Sequence, residues 1–253
     1  MAPPRSPPFF ADEDKSSIQH VLLHAARDGD LRLLKKLARA LDKGRGCLRE
    51  AVEAAKEEGV GVLHLAARNG RIKVCRYLVE KLRVDVDAVD DEARTPLIWA
   101  ILGGSVATVR YLLDHGVNPS KDDDEGFTPL HYASGTGNFE MVELLLAKGV
   151  SVDPVSVGGT PLHIAAFDGH DDAVKILLDH NANVVPGADT PLLMAITGSS
   201  VKCVKLLVEA GADVNDGLVT PLAAAANTGL TACLKCLLEA GADPNVSDPA
   251  SFF

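Results

Sequence analysis

Apolar positions recur along this chain in short blocks with a helical period, and the blocks themselves recur. Val109-Arg110-Tyr111-Leu112-Leu113 with Gly116, and Val204-Lys205-Leu206-Leu207-Val208 with Gly211-Ala212-Asp213, are two copies of one block. Ahead of such blocks stands Thr-Pro-Leu, at Thr95, Thr128, Thr160, Thr190 and Thr220, with spacings of 33, 32, 30 and 30 residues. Each motif reads as helix punctuation. Threonine supplies an N-cap oxygen, and proline fits the first helical position because its missing N–H has no partner there. A histidine three residues beyond the threonine can reach back to the cap. Glycines such as Gly137 and Gly169 allow the left-handed turn that ends the helix. The pattern therefore predicts repeated units of helix, turn, Leu-Leu helix and glycine.

Self-similarity at this period marks a stacked-repeat protein. Two copies continue as Thr-Pro-Leu-His, at Thr128 to His131 and Thr160 to His163. With these motifs the chain resembles the ankyrin-repeat family over roughly residues 18–247. The resemblance implies an all-α repeat solenoid of about seven ankyrin-type helix-turn-helix units, joined by β-hairpin fingers such as Val117 to Phe127. A unit upstream of the five Thr-Pro copies carries Gly61-Val62-Leu63-His64, Ala66-Ala67 and Gly70. A degenerate first unit reads Leu22-Leu23-His24-Ala25-Ala26 with Gly29, then Leu31 to Leu41. Between them lies an insertion, about 44–59. Its segment Cys47 to Glu58 reads as a short helix with Leu48, Ala51, Val52 and Ala55 on one face.

The expected organisation is a disordered tail over 1–16, rich in proline, serine and charge, an ankyrin-repeat domain over 17–247, and a short C-terminal tail over 248–253. Asp243-Pro244-Asn245-Val246 looks like the start of another finger, so either a following domain or a folded-back tail is expected to cover the last unit. The opening stretch Ala25-Ala26-Arg27-Asp28-Gly29-Asp30, the insertion and the ending Gly241-Ala242-Asp243-Pro244-Asn245 are similar to a narrower plant group. In that group an ankyrin block precedes a tetratricopeptide domain, often a docking site for chaperone tails. This chain has no tetratricopeptide pattern, so chaperone partners are expected only if a further C-terminal domain exists.

Composition changes the picture in two ways. Apolar residues make up 47% and aromatics only 4%, so the core is built from Leu, Val and Ala, which suits thin stacked helix pairs. The net charge of −10 is uneven, because residues 1–60 hold 11 Lys/Arg against 10 Asp/Glu. An acidic array has no field with which to release counterions from DNA or RNA, so nucleic acid is not an expected partner. No apolar run approaches the roughly 18 residues of a membrane span, and the start has no apolar stretch fit for a signal peptide. The cytosol or nucleus is the expected compartment. Five cysteines, an odd number, fit a reducing environment.

Candidate chemistry reduces to structural roles. His64, His131 and His163 share one repeated position, so they recur along the stack and cannot converge on a metal ion. Cys233-x-x-Cys236 lies inside a predicted helix without a second pair, and Cys75, Cys203 and Cys233 occupy apolar positions. The acidic runs Asp90-Asp91-Glu92 and Asp122 to Glu125 lack calcium-loop spacing and read as solvated finger tips. Arg32, Lys35, Lys36, Arg39 and Lys43 form a basic stripe opposite Leu33, Leu34, Leu37 and Leu41. No phosphate loop, nucleophile elbow or acid–base pair is present. No catalytic residue, cofactor or metal is expected.

In ankyrin-like stacks a partner binds a concave surface built from finger tips and from exposed positions on each first helix. Two offsets carry it here, the residue before each threonine and the one seven after it. These give Arg68, Arg94, Leu102, Phe127 and Phe167, with Asp168 beside the last. Aromatics and arginines are the usual anchors of an interface, and both phenylalanines are expected outside the core. Fingers of 11 and 10 residues precede Thr128 and Thr160, against 8 before Thr190 and Thr220, which makes the predicted groove deepest around the second to fifth units. The function expected is a non-enzymatic protein-binding adaptor or scaffold. The alternatives are an inhibitor that occludes a partner enzyme and, as a minor one, a cysteine-based metal or redox sensor.

Overall fold

The computed structural model describes residues 11–185, 189–216 and 219–245, in two compact units divided after Asn118. The N-terminal unit holds three helix pairs. These are α1 (Ala11–Asp28) with α2 (Leu31–Asp42), α4 (Val62–Arg68) with α5 (Ile72–Arg76), and α6 (Pro96–Leu102) with α7 (Val106–Asp114). Helix α5 continues as a π-helical segment, Tyr77–Leu82. The C-terminal unit holds four pairs: α8 (Pro129–Thr136) with α9 (Phe139–Ala147), α10 (Pro161–Phe167) with α11 (Asp171–Asp179), α12 (Pro191–Thr197) with α13 (Val201–Glu209), and α14 (Pro221–Asn227) with α15 (Thr231–Glu239). Seven pairs appear where the repeat spacing predicts them. The short helix α3 (Leu48–Glu53) belongs to the insertion.

First helices pack on first helices, α1 on α4 and α4 on α6, then α8, α10, α12 and α14 in a second row. Leu97, Ile98, Ile101 and Leu112 are fully buried in the N-terminal unit, as are Leu162, Leu177, Leu192 and Leu207 in the C-terminal one. Every Thr-Pro places proline in the first helical turn. Where no histidine follows, the threonine Oγ1 accepts from the backbone N–H three residues on, at 3.2 Å from Leu193 and 3.3 Å from Ala223.

Where histidine follows, it works in both directions. The Nδ1 atom of His131 accepts the Thr128 N–H at 3.0 Å, while Nε2 lies 3.0 Å from the Gly159 carbonyl of the next finger. His163 repeats this with the Thr160 N–H at 3.1 Å and the Asp189 carbonyl at 2.8 Å. His64 does so with Gly61 at 3.1 Å and with Ala88 and Arg94 at 3.1 and 3.2 Å. An accepting Nδ1 fixes the tautomer with hydrogen on Nε2, which then donates forward. Each histidine therefore caps its own helix and ties the next finger to it. A second tie runs through finger carboxylates: Asp87 accepts the Asn118 N–H at 2.9 Å, and Asp153 accepts that of Asn183 at 3.1 Å.

Two sequence expectations change. Helix α1 begins at Ala11, so residues 11–16 are helical where a disordered tail was expected; the rest of that tail, residues 1–10, and the C-terminal tail at 248–253 lie outside the described residues. The insertion is helical only to Glu53. Beyond it Lys56–Glu57 pairs with Val60–Gly61 as a small antiparallel ladder. Its turn uses Gly59 at φ 71°, where a Cβ would meet the Asp91 backbone nitrogen at 2.4 Å. The fingers close as narrow turns through paired backbone bonds: Asp90 N–H to Arg94 O at 3.1 Å with Ala93 N–H to Asp90 O at 3.2 Å, Asp123 N–H to Phe127 O at 3.1 Å with Gly126 N–H to Asp123 O at 3.0 Å, and an antiparallel bridge between Ser156 and Gly159. Side chains at the tips add further bonds to these turns. The last two fingers include residues 186–188 and 217–218, outside the described residues.

Candidate partner-binding surface

The finger tips are organised by inward-turned aspartates. Asp90 Oδ1 accepts the Arg94 N–H at 2.8 Å and the Glu92 N–H at 3.1 Å, while Oδ2 takes Arg94 Nε at 2.9 Å and Trp99 Nε1 at 2.8 Å. Burial opposes ionisation of this carboxyl, but the bonds from Trp99 and Arg94 outweigh it and hold its pKa below the usual value. Asp123 repeats the design. Its Oδ1 accepts from Phe127 N at 2.8 Å and Glu125 N at 3.0 Å, and Oδ2 accepts from Tyr132 Oη at 2.6 Å. One member of each acidic run is thus a structural acceptor. Asp91, Glu92, Asp122, Asp124 and Glu125 remain at least partly exposed.

In the N-terminal unit, Arg68 and Arg94 come together over one ring. The Arg68 guanidinium carbon lies 5.1 Å and that of Arg94 5.4 Å from the centroid of Trp99. Beside them Leu102, the last residue of α6, is 39% exposed. The close stacking beneath depends on Gly103, where a Cβ would fall 1.7 Å from the Arg68 carbonyl oxygen. Trp99 is the residue that sequence reading missed. The signal available was the nine-residue interval from Asp90 to Trp99, repeated from Asp123 to Tyr132.

In the C-terminal unit, the two phenylalanines differ. Phe167 ends α10 and is 48% exposed, with Asp168 exposed beside it as the cap residue. Gly198 has the same relation to it as Gly103 to Arg68, with a Cβ 1.8 Å from the Phe167 carbonyl oxygen. Phe127 is half-buried, 5.5 Å from His131 and 6.0 Å from Tyr132 between ring centroids. A Cβ on Gly158 would lie 3.1 Å from its ring edge. The expectation that both rings stand clear of the packing is therefore corrected for Phe127, whose ring wedges one finger against the next.

Four of the five thiols are poorly placed for thiolate chemistry, while Cys47 is exposed. Cys75, Cys203 and Cys233 are fully buried. Burial pushes the Cys75 thiol up to about 12 and raises those of Cys203, Cys233 and Cys236, so all four stay protonated at neutral pH. No helix of the described residues is long and apolar enough to cross a membrane.

A stacked series of Thr-Pro-capped helix pairs with closed fingers defines the class, and comparison agrees. Three copies of the pattern described as ankyrin repeats match residues 22–123, 116–187 and 185–248. The chain belongs to the ankyrin-repeat family and has its solenoid fold. It is similar to the human ASB11 ankyrin repeat domain, with 31% identity, a TM-score of 0.75, and coverage of 88% of this chain and 98% of that one. The ankyrin repeat domain of Bcl-3, a member of the IkappaB family, is 26% identical with a TM-score of 0.67, covering 76% and 91%. Among curated proteins, the E3 ubiquitin-protein ligase KEG of Arabidopsis thaliana is 29% identical over 106 residues. That is 42% of this chain but 6% of the ligase. The palmitoyltransferase AKR1 of Lachancea kluyveri is 39% identical over 100 residues, 39% of this chain and 13% of that protein. The chain thus matches only a small part of either enzyme.

Proposed function

We propose that this chain is a non-enzymatic adaptor that presents its first-helix and finger surface, the concave one in ankyrin stacks, to a protein partner. Ankyrin repeats are protein-interaction modules. The observation that carries the reading is Phe167, a large apolar side chain held 48% exposed at the end of a helix whose backbone is locked by close packing. The scaffold gains nothing from exposing that ring, whereas aromatics at rigid, half-exposed positions are typical interface anchors. In the N-terminal unit Arg68, stacked on Trp99, offers a guanidinium edge to carboxylates, Arg94 on the same ring is held by Asp90 and Glu92, and Leu102 adds apolar area. Arg68, Arg94, Leu102, Phe167 and Asp168 are the contact residues in this reading. Phe127 supports the fingers of the C-terminal unit, packed against Gly158. Rigid presentation limits the ordering cost on this side of the complex.

Affinity capture with wild type and with Phe167→Ala, followed by identification of the bound proteins, tests this. A partner retained by the wild type and lost by the variant supports it. Assaying that partner with and without the chain then separates an adaptor from an inhibitor.

A further inference from the structure

The second helices of the N-terminal unit carry a basic field that the repeat scaffold does not need. Arg32 and Lys35 lie two and five residues beyond the cap residue Asp30, and Lys73 and Arg76 lie at the same places beyond Arg71. In the C-terminal unit those places hold Glu140 and Glu143 on α9, Asp172 and Lys175 on α11, Lys202 and Lys205 on α13, and Ala232 and Lys235 on α15. The fold tolerates either sign there. The imbalance extends to whole units: residues 1–118 contain 19 Lys/Arg against 17 Asp/Glu, whereas 119–253 contain 6 against 18 and no arginine.

This field is not neutralised internally. Among the described residues Arg32, Lys35, Lys36, Arg39 and Lys73 make no ion pair. Arg32 with Lys36, and Lys35 with Arg39, are like charges four residues apart, an arrangement that works against the helix. Between α2 and α5 lies a hollow of about 290 Å³ lined by Leu31, Lys35, Lys73, Arg76, Tyr77 and Lys81. The Lys35 ammonium sits 4.7 Å above the Tyr77 ring. The acid at this hollow, Glu80, is already engaged by Tyr111 Oη at 3.3 Å and Arg76 Nε at 3.7 Å.

We propose that this face, separate from the first-helix surface, docks an acidic segment of a partner protein, with its carboxylates over Arg32, Lys35, Lys36 and Lys73. Charge complementarity selects the occupant. Helix α2, 12 residues long, spans about 18 Å, which about six residues of extended chain would cover. The large apolar side chains exposed among the described residues lie outside α2 and α5, so the face has no anchor for a lipid bilayer.

The test is fluorescence anisotropy of the full chain with a labelled octaglutamate peptide at low salt. Saturable binding that weakens as salt rises is expected. Arg32→Gln with Lys36→Gln and Lys73→Gln should weaken it about tenfold, as expected when three modest ion pairs are removed together. Lys175→Gln with Lys205→Gln and Lys235→Gln removes the same net charge from the C-terminal unit and should bind as wild type. Absence of binding, or equal loss in the two triple variants, overturns the proposal. So does tighter association with phosphatidylserine vesicles or a DNA oligonucleotide than with the peptide. Melting curves accompany each variant, and the single variants Arg32→Gln and Lys73→Gln carry the test should the triple variant not fold.

Discussion

Trp99 Nε1 donates to Asp90 Oδ2 across 2.8 Å, so a carboxylate at a finger tip fixes an indole in the helix that follows. That bond also sets the floor on which Arg68 and Arg94 rest. Replacing Asp90 with Ala removes the acceptor of the indole N–H, of Arg94 Nε and of two backbone N–H groups. We expect a loss of about 3 kcal/mol in urea titration, and a much smaller one for Asp90→Asn, which keeps an acceptor oxygen. Trp99 is the single tryptophan of the chain, so its emission reports on this site directly.

Stability should depend on pH through the capping histidines. Burial lowers the His64 pKa from 6.5 to about 4, against the opposing effects of Asp90 and the Arg94 and Ala88 carbonyls. Below pH 6.5 the unfolded chain binds a proton that the folded chain takes up only near pH 4. The contribution is therefore complete above 6.5 and is lost as pH falls towards 4, about 3 kcal/mol in all. Desolvation also lowers the pKa of His131, adding a change of the same sign. Asp90, held below its ordinary value, acts at lower pH. Denaturant titrations between pH 7.5 and 4.5 should show the decline, and His64→Gln should flatten it. A decline unaltered in that variant would assign it to other groups.

The seven helix pairs, their caps and the backward reach of the histidines were legible because each rests on a short-range signal: Thr-Pro at a helix start, histidine three residues on, glycine at the turn. What was not legible depended on contacts between repeats. Nothing in Thr-Pro-Leu-His announces that Nε2 of His163 meets the Asp189 carbonyl 26 residues later. Phe127 and Phe167 look alike in sequence, yet only the first has Gly158 of the next finger against its ring. The acidic runs read as solvent-facing by composition, and only the fold reveals which aspartate turns inward.

The two phenylalanines should separate in stability. Phe127→Ala removes a ring packed on His131, Tyr132 and Gly158 and should cost about 2 kcal/mol, whereas Phe167→Ala should stay within about 0.5 kcal/mol of wild type. Thermal or urea unfolding of the two single variants checks this. Equal losses would place Phe167 in the packed interior.

Close stacking at the helix ends makes its own demand. Gly103→Ala sets a methyl group 1.7 Å from the Arg68 carbonyl oxygen unless the backbones of α4 and α6 separate. Overpacking of this kind costs about 1–3 kcal/mol. Urea titration should show that loss, with Trp99 emission shifted in the folded state because the floor under Arg68 has moved. A neutral substitution would mean that these helices are not held at this distance.

The most direct measurement of the adaptor reading compares capture of the principal partner by wild type, Phe167→Ala, Arg68→Ala and the double variant, each with its melting curve. Loss of an aromatic anchor typically costs about 2 kcal/mol of binding, roughly thirtyfold in affinity. We expect each single variant to weaken capture, the double variant to abolish it, and melting temperatures to stay unchanged. Undiminished capture by a folded double variant would contradict the claim that this surface binds the partner.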